Sequence, residues 1–148
     1  MSVMIRAVVP GDRAAWDSLY AGYAAFYKVT QTQAMRDAVW DWLMNLGHGT
    51  EGLVACADDG QLIGLAHYRA FARPLSASTG GFLDDLFVDP HLRGSGAADA
   101  LIAALRDIGA ARGWTVIRWI TAEDNYRARG VYDRVAMRTP WVTYDIKV

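Results

Sequence analysis

Several common features are scarce in this chain of 148 residues. It has one cysteine, Cys56, so no disulfide can form within it. That thiol sits in the apolar run Leu53-Val54-Ala55-Cys56-Ala57 and reads as buried, with no catalytic role. There are four prolines and no Pro/Gly/Ser linker, internal repeat or low-complexity tract. Nothing divides the chain, and its length fits a single domain spanning 1–148. No charge of one sign dominates: 15 Lys and Arg face 16 Asp and Glu, for a net charge of −1. Nucleic-acid binding runs on clustered Lys and Arg, so no nucleic-acid partner is expected. No stretch reaches the roughly 18 uninterrupted apolar residues of a membrane helix. No basic-then-apolar signal opens the chain, so no membrane is expected and a cytoplasmic location is the default. The three histidines, His48, His67 and His91, lie in separate elements without ligand spacing, so no metal is expected.

Apolar side chains, by contrast, are plentiful. Hydrophobic residues make up 53% of the chain and charged ones 21%, the balance of a globular domain and not of a disordered one. Six Trp and seven Tyr are many for this length. They are large core residues, or some of them wall a ligand cleft.

Periodicity gives the elements. Val3 to Val8 reads as a strand, stopped by Pro10-Gly11. From Asp12, the residues Trp16, Leu19, Tyr20, Tyr23, Phe26 and Tyr27 recur at helical spacing and share one face. A second helix runs from Gln33, with a stripe of Met35, Val39, Trp42, Leu43 and Leu46, and stops at Gly47. Leu53–Ala57 and Leu62–Ala70 form a hairpin around Asp58-Asp59-Gly60. Pro74 to Gly81 reads as a loop and Phe82 to Val88 as a strand, stopped by Asp89-Pro90. Ala98, Leu101, Ile102, Leu105 and Ile108 mark a helix that ends at Gly113. Thr115–Thr121 is a further strand, Asn125–Val135 a helix and Trp141–Val148 a final strand. The order β-α-α-β-β-β-α-β-α-β predicts an α/β (α+β) fold: a mixed, mostly antiparallel sheet with helices on both faces. One parallel strand–helix–strand unit spans Phe82 to Thr121.

The stretch Val88-Asp89-Pro90-His91-Leu92-Arg93-Gly94-Ser95-Gly96-Ala97-Ala98 carries the most chemistry. It joins a strand to a long helix. Its small residues let a ligand approach the backbone, and the helix's first turn offers free N–H groups and a positive dipole end. Together these make an anion site that suits a pyrophosphate. Arg93 is either a charged donor to that anion or a solvated surface residue. Three other glycine-loop readings fail. A Walker loop needs Gly-Lys-Ser/Thr. A dinucleotide fingerprint needs a third glycine where Asp99 stands. A nucleophile elbow at Ser95 needs Gly where Arg93 stands.

Arg93-Gly94-Ser95-Gly96-Ala97-Ala98 resembles the acetyl-CoA motif of the GNAT superfamily of N-acetyltransferases, Arg/Gln-x-x-Gly-x-Gly/Ala. It sits between the fourth strand and the third helix, as in that family, and the whole element order matches. The resemblance implies a GNAT-like sheet of six to seven strands. It implies that backbone N–H groups of Gly94, Ser95, Gly96, Ala97 and Ala98 hold the pyrophosphate of acetyl-CoA. It further implies that Leu86, Phe87 and Val88 pair with the pantetheine arm. Asn125-Tyr126-Arg127-Ala128-Arg129-Gly130-Val131-Tyr132 resembles the family's second signature, Asn-x-x-Ala-x-x-x-Tyr. By that resemblance Asn125 contacts the pantetheine and Tyr132 stands near the thioester sulfur as general acid. Ala136-Met137 departs from the family's Gly-Phe after this helix.

On the amine side, Asp84 and Asp85 are neighbours on a strand and so point to opposite faces, one toward the cleft and one away. A carboxylate there attracts a cationic amine or takes its proton, directly or through water. The alternative is an ordinary solvated acid pair. Gly-Tyr-Ala-Ala-Phe-Tyr at 22–27 and Gly-Leu-Ala-His-Tyr at 64–68 resemble the branch related to histone and polyamine or diamine acetyltransferases. That implies a polyamine, diamine or lysine-like acceptor. His67 reads as a hydrogen-bonded structural histidine sooner than a second base. Other acceptors on the same fold are an amino acid, an antibiotic or a protein N-terminus. A non-catalytic acyl-CoA sensor is the reading from a different class. The final strand, apolar on both faces at a sheet edge, suggests a homodimer.

Overall fold

The computed structural model describes residues 2–148. Strands β1 (Val3–Ala7), β2 (Thr50–Ala57), β3 (Leu62–Arg73), β4 (Ser78–Val88) and β5 (Ile117–Arg118) form one sheet in sequence order. The first three pairings are antiparallel and β4–β5 is parallel. Helices α1 (Arg13–Phe26), α2 (Gln33–Met44), α3 (Ala97–Arg112) and α4 (Tyr126–Val135) complete the order. No helix among the described residues is long and apolar enough to cross a membrane.

The sheet separates two cores, one under each helical layer. On one face Leu101 and Leu105 of α3 pack on Leu53, Ala66, Tyr68 and Leu83. On the other, Trp16 and Tyr20 of α1 and Trp40 and Leu43 of α2 pack on Leu65 and Phe87. Local chemistry sets the ends. Thr32 caps α2 by accepting from the Met35 N–H at 3.2 Å. Gly113, at φ +73°, closes α3 in a conformation few other residues adopt.

Three sequence expectations are corrected. Residues 74–81 are not a long loop: a 3-10 turn at Pro74–Ser76 and a left-handed Ala77 reverse the chain tightly, and β4 begins at Ser78. The strand expected over Thr115–Thr121 shrinks to Ile117–Arg118, because only Gly81 and Phe82 of β4 pair with it. The strand expected over Trp141–Val148 does not form. That segment has no regular secondary structure and makes no hydrogen bond to the other described residues, and Trp141, Tyr144 and Ile146 are each at least 79% exposed. The sheet therefore has five strands and not six or seven.

Two features of β4 position everything functional. First, β5 leaves it after Phe82, so one edge of β4 is unpaired from Leu83 to Val88. Second, β4 carries a bulge: His67 faces Asp85 but Tyr68 faces Leu83, so Asp84 is the extra residue.

The β4–β5 junction depends on a glycine. A Cβ at Gly81 would lie 2.3 Å from the Trp114 ring. Gly81→Ala is expected to destabilise the fold by roughly 2 kcal/mol, seen as a lower midpoint in urea. An unchanged midpoint would mean that Trp114 moves aside freely.

Candidate active site

The parting of β4 from β5 opens a cleft of about 430 Å³. One wall is Leu86, Phe87 and Val88, the floor is Arg93 to Asp99, and the opposite wall is Asn125, Arg127, Ala128, Val131, Tyr132 and Arg134 of α4 and its approach. All ten residues expected to bind the cofactor line it, and so does Tyr132. Asp84 and Asp85 do not.

The floor is built for an anion. Gly94 and Gly96 adopt φ of +88° and +84° with open space around them, so conformation and not crowding demands glycine there. The turn aims the start of α3 into the cleft. Among the described residues the N–H groups of Gly96, Ala98 and Asp99 have no acceptor in the chain, while the Ala97 N–H reaches Ser95 Oγ at 3.4 Å. Arg93, Arg127 and Arg134 surround the same space against one carboxylate, Asp99, whose Oδ1 is buried without a partner. Arg134 lies 3.5 Å from Asp99 Oδ2. Arg93 stacks 4.4 Å above the Phe26 ring, so it is held at the cleft and is not a free surface residue.

Opposite the floor, Tyr132 packs edge-on against Trp119 at 5.4 Å between centroids. Burial, with a smaller contribution from Tyr27, raises its phenol to about 12, so it is protonated at neutral pH. Asn125 sits at the N-cap of α4 without capping it; its amide donates long bonds of 3.4 Å to Tyr27 Oη and Thr121 Oγ1.

The two aspartates part company at the bulge. Asp84 is exposed and paired with Arg69 at 3.1 Å; burial raises its carboxyl and Arg69 partly offsets that. Asp85 turns to His67, its Oδ2 lying 2.8 Å from Nδ1, and also accepts from the Tyr20 hydroxyl at 2.8 Å. Because His67 and Arg69 are two apart on β3, both carboxylates lie against one face of that strand, not opposite faces as simple alternation predicts. Burial alone would raise the Asp85 carboxyl, but the bonds from His67 and Tyr20, with the Tyr23 hydroxyl nearby, hold it below the ordinary value. Tyr23 links this group to the cleft: its ring meets Phe87 edge-on at 5.3 Å, and it feels Asp85 on one side and Tyr27 and Tyr132 on the other.

Sequence reasoning passed over Arg127, Val131 and Arg134, which line the cleft at spacings of four and three along α4. That periodicity was the available signal. The Trp16–His67 contact had none, since 51 residues separate its partners.

The acetyltransferase (GNAT) family matches residues 16–137 of this chain. The D-amino-acid N-acetyltransferase HPA3 of Saccharomyces cerevisiae is 25% identical over 96% of this chain and 89% of its own length. An aminoglycoside N(6')-acetyltransferase type 1 of Stenotrophomonas maltophilia is 34% identical over 69% of this chain and 64% of its own. The structure of AAC(6')-Iy in complex with the bisubstrate analog CoA-S-monomethyl-acetylneamine superposes with a TM-score of 0.81 at 22% identity, covering 100% of this chain and 99% of that one. At that identity the likeness carries the fold.

Proposed function

The chain belongs to the acetyltransferase (GNAT) family and is an acetyl-CoA-dependent N-acetyltransferase, and from that premise we propose that it acetylates a cationic primary amine drawn to Asp85. The observation that carries this reading is the order of groups along β4: an anion floor at one end, a protonated phenol opposite, and an ionised carboxylate behind Tyr23.

In this reading the phosphates of acetyl-CoA sit on the turn from Gly94 to Ala98, where the N–H groups of Gly96 and Ala98 are free, with Arg93, Arg127 and Arg134 around them. The pantetheine runs along the unpaired edge of β4 at Leu86 to Val88, with Asn125 across from it. Asp85 holds the acceptor as an ammonium. Its carboxyl is too acidic to strip an alkylammonium, so that proton leaves to water before the neutral amine attacks the thioester carbon. A free N–H of β4 polarises the carbonyl oxygen. The C–S bond then breaks as the nitrogen gives up its extra proton to water, leaving a neutral amide and a CoA thiolate, and Tyr132 hydrogen-bonds the departing sulfur. Phenol at about 12 against a thiol near 8.5 makes full proton transfer uphill by roughly 5 kcal/mol in water. Desolvation of the thiolate in the same cleft narrows that gap. Asp84, tied to Arg69 at the exposed side of the bulge, has no part in the transfer.

A polyamine, diamine or lysine-like acceptor fits a lone carboxylate among Tyr20, Tyr23 and Tyr27. So does an aminoglycoside, which is also polycationic and is the substrate named for one relative. A D-amino acid, named for another, carries a carboxylate of its own that Asp85 would repel. Thiol release from acetyl-CoA with spermidine, putrescine, lysine, kanamycin and D-alanine tests this. Turnover is expected with the first four classes above D-alanine, and D-alanine as the best substrate would contradict it. Tyr132→Phe is expected to lower kcat by about a hundredfold while leaving acetyl-CoA affinity within about threefold.

We propose too that the chain is a homodimer in the cytoplasm. Ala136 is extended after α4, residues 137–148 make no hydrogen bond to the other described residues, and Trp141, Val142, Tyr144, Ile146 and Val148 are exposed. An apolar arm of that kind finds its partner on a second copy. Light scattering is expected to give twice the chain mass at micromolar concentration, and the single-chain mass after removal of 139–148. A full-length monomer would contradict it.

A further inference from the structure

Behind Asp85 lies a polar group that acetyl transfer, as described, does not use. Trp16 and His67 are 1% and 2% exposed, deep in the core under α1. The indole Nε1–H of Trp16 donates to His67 Nε2 at 2.9 Å. His67 Nδ1 lies 2.8 Å from Asp85 Oδ2, and the Tyr20 hydroxyl reaches the same oxygen at 2.8 Å.

The directions of these bonds are fixed by chemistry. An indole N–H can only donate. Nε2 of His67 therefore accepts and carries no hydrogen, so the ring's hydrogen is on Nδ1 and is donated to Asp85. A protonated ring would set Nε2–H against the indole N–H, so this arrangement holds a neutral His67. Two donors then converge on Oδ2 of Asp85, while among the described residues Oδ1 has no hydrogen-bond partner, and the side chain is 20% exposed.

We propose that Trp16 and His67 are positioning residues for the acetyl-transfer site: the indole locks the tautomer of His67, and His67 locks the rotamer and charge of Asp85, leaving Oδ1 to take the acceptor's ammonium. This rests on the reading of Asp85 as the acceptor's anchor.

The charged and titratable groups around Asp85 are Tyr20 and Tyr23 from α1, His67 and Arg69 from β3, and Asp84 on its own strand. Both tyrosines are raised, first by burial and then by the Asp85 charge, and stay protonated donors. Burial pushes the Asp85 carboxyl up and the donors pull it down. Loss of the His67 donor must therefore move the Asp85 titration to higher pH.

Nitrogen-15 NMR of the intact protein tests the first link without any substrate. The expected spectrum has hydrogen on Nδ1 of His67 and a bare Nε2; hydrogen on Nε2 would overturn the proposal. Carbon-13 titration of the Asp85 carboxyl tests the second. His67→Leu is expected to raise its midpoint by about one pH unit, and His67→Asn, whose amide N–H can take the place of Nδ1–H, to restore most of it. The acid limb of kcat/KM, measured with acetyl-CoA and the best amine of the panel above, should move with the midpoint in each variant while KM for acetyl-CoA stays unchanged. A folded His67→Leu protein with an unmoved midpoint and acid limb would overturn the proposal. Asp85→Asn separates the two claims. If it leaves amine turnover intact, the anchor reading fails. If it abolishes turnover while His67→Leu shifts nothing, only the positioning role fails.

Discussion

The structure depends on a strand pairing that stops early. β4 is held by β3 along its whole length but by β5 only at Gly81 and Phe82. Gly81 makes that contact possible by leaving room for Trp114, and beyond it the two strands diverge. A continuous sheet would consume the backbone N–H and C=O groups of Leu83 to Val88 that face away from β3. Parting the strands leaves those groups for a ligand and opens the space that α3 and α4 close from either side.

The bulge at Asp84 is the second consequence of building a site on one strand. Regular alternation would send Asp84 and Asp85 to opposite faces. The extra residue turns both toward one face of β3, where Arg69 neutralises the first and His67 with Tyr20 organises the second. Two adjacent carboxylates thus receive opposite treatment: one is raised by burial, the other lowered by donors. Across the cleft burial, with a smaller contribution from Tyr27, raises the Tyr132 phenol and keeps it protonated. In the proposed reading, positive floor, neutral phenol and negative anchor follow one another, the charge order that an anionic thioester and a cationic amine require.

Much of this was legible in the sequence because the signals were local. Helical spacing located α1, α2 and α3. The change of period at Asp89-Pro90, followed by Gly94 and Gly96, located the anion floor, and Asn125 with Tyr132 located the opposite wall. What escaped were features set by partners distant in sequence. Alternation cannot reveal a bulge, because the bulge exists only relative to His67 and Tyr68. The apolar pattern of Trp141 to Val148 reads as a strand, but the segment pairs with no other described strand and its large side chains are exposed. His67 read as a hydrogen-bonded structural histidine, and it is buried, but its partners Trp16 and Asp85 came into view only in the fold.

The central claim is that the cleft along β4 binds acetyl-CoA by its pyrophosphate. Calorimetric titration of the purified protein with acetyl-CoA, repeated on Gly96→Ala, tests it most directly. Gly96 has a φ of +84° with empty space around it, so alanine there strains the loop without blocking the cleft. The account predicts one saturable site, competition by free CoA, and binding weaker by about tenfold in the variant. A folded protein that gives no saturable heat, or a variant that binds as tightly as the parent, would contradict it.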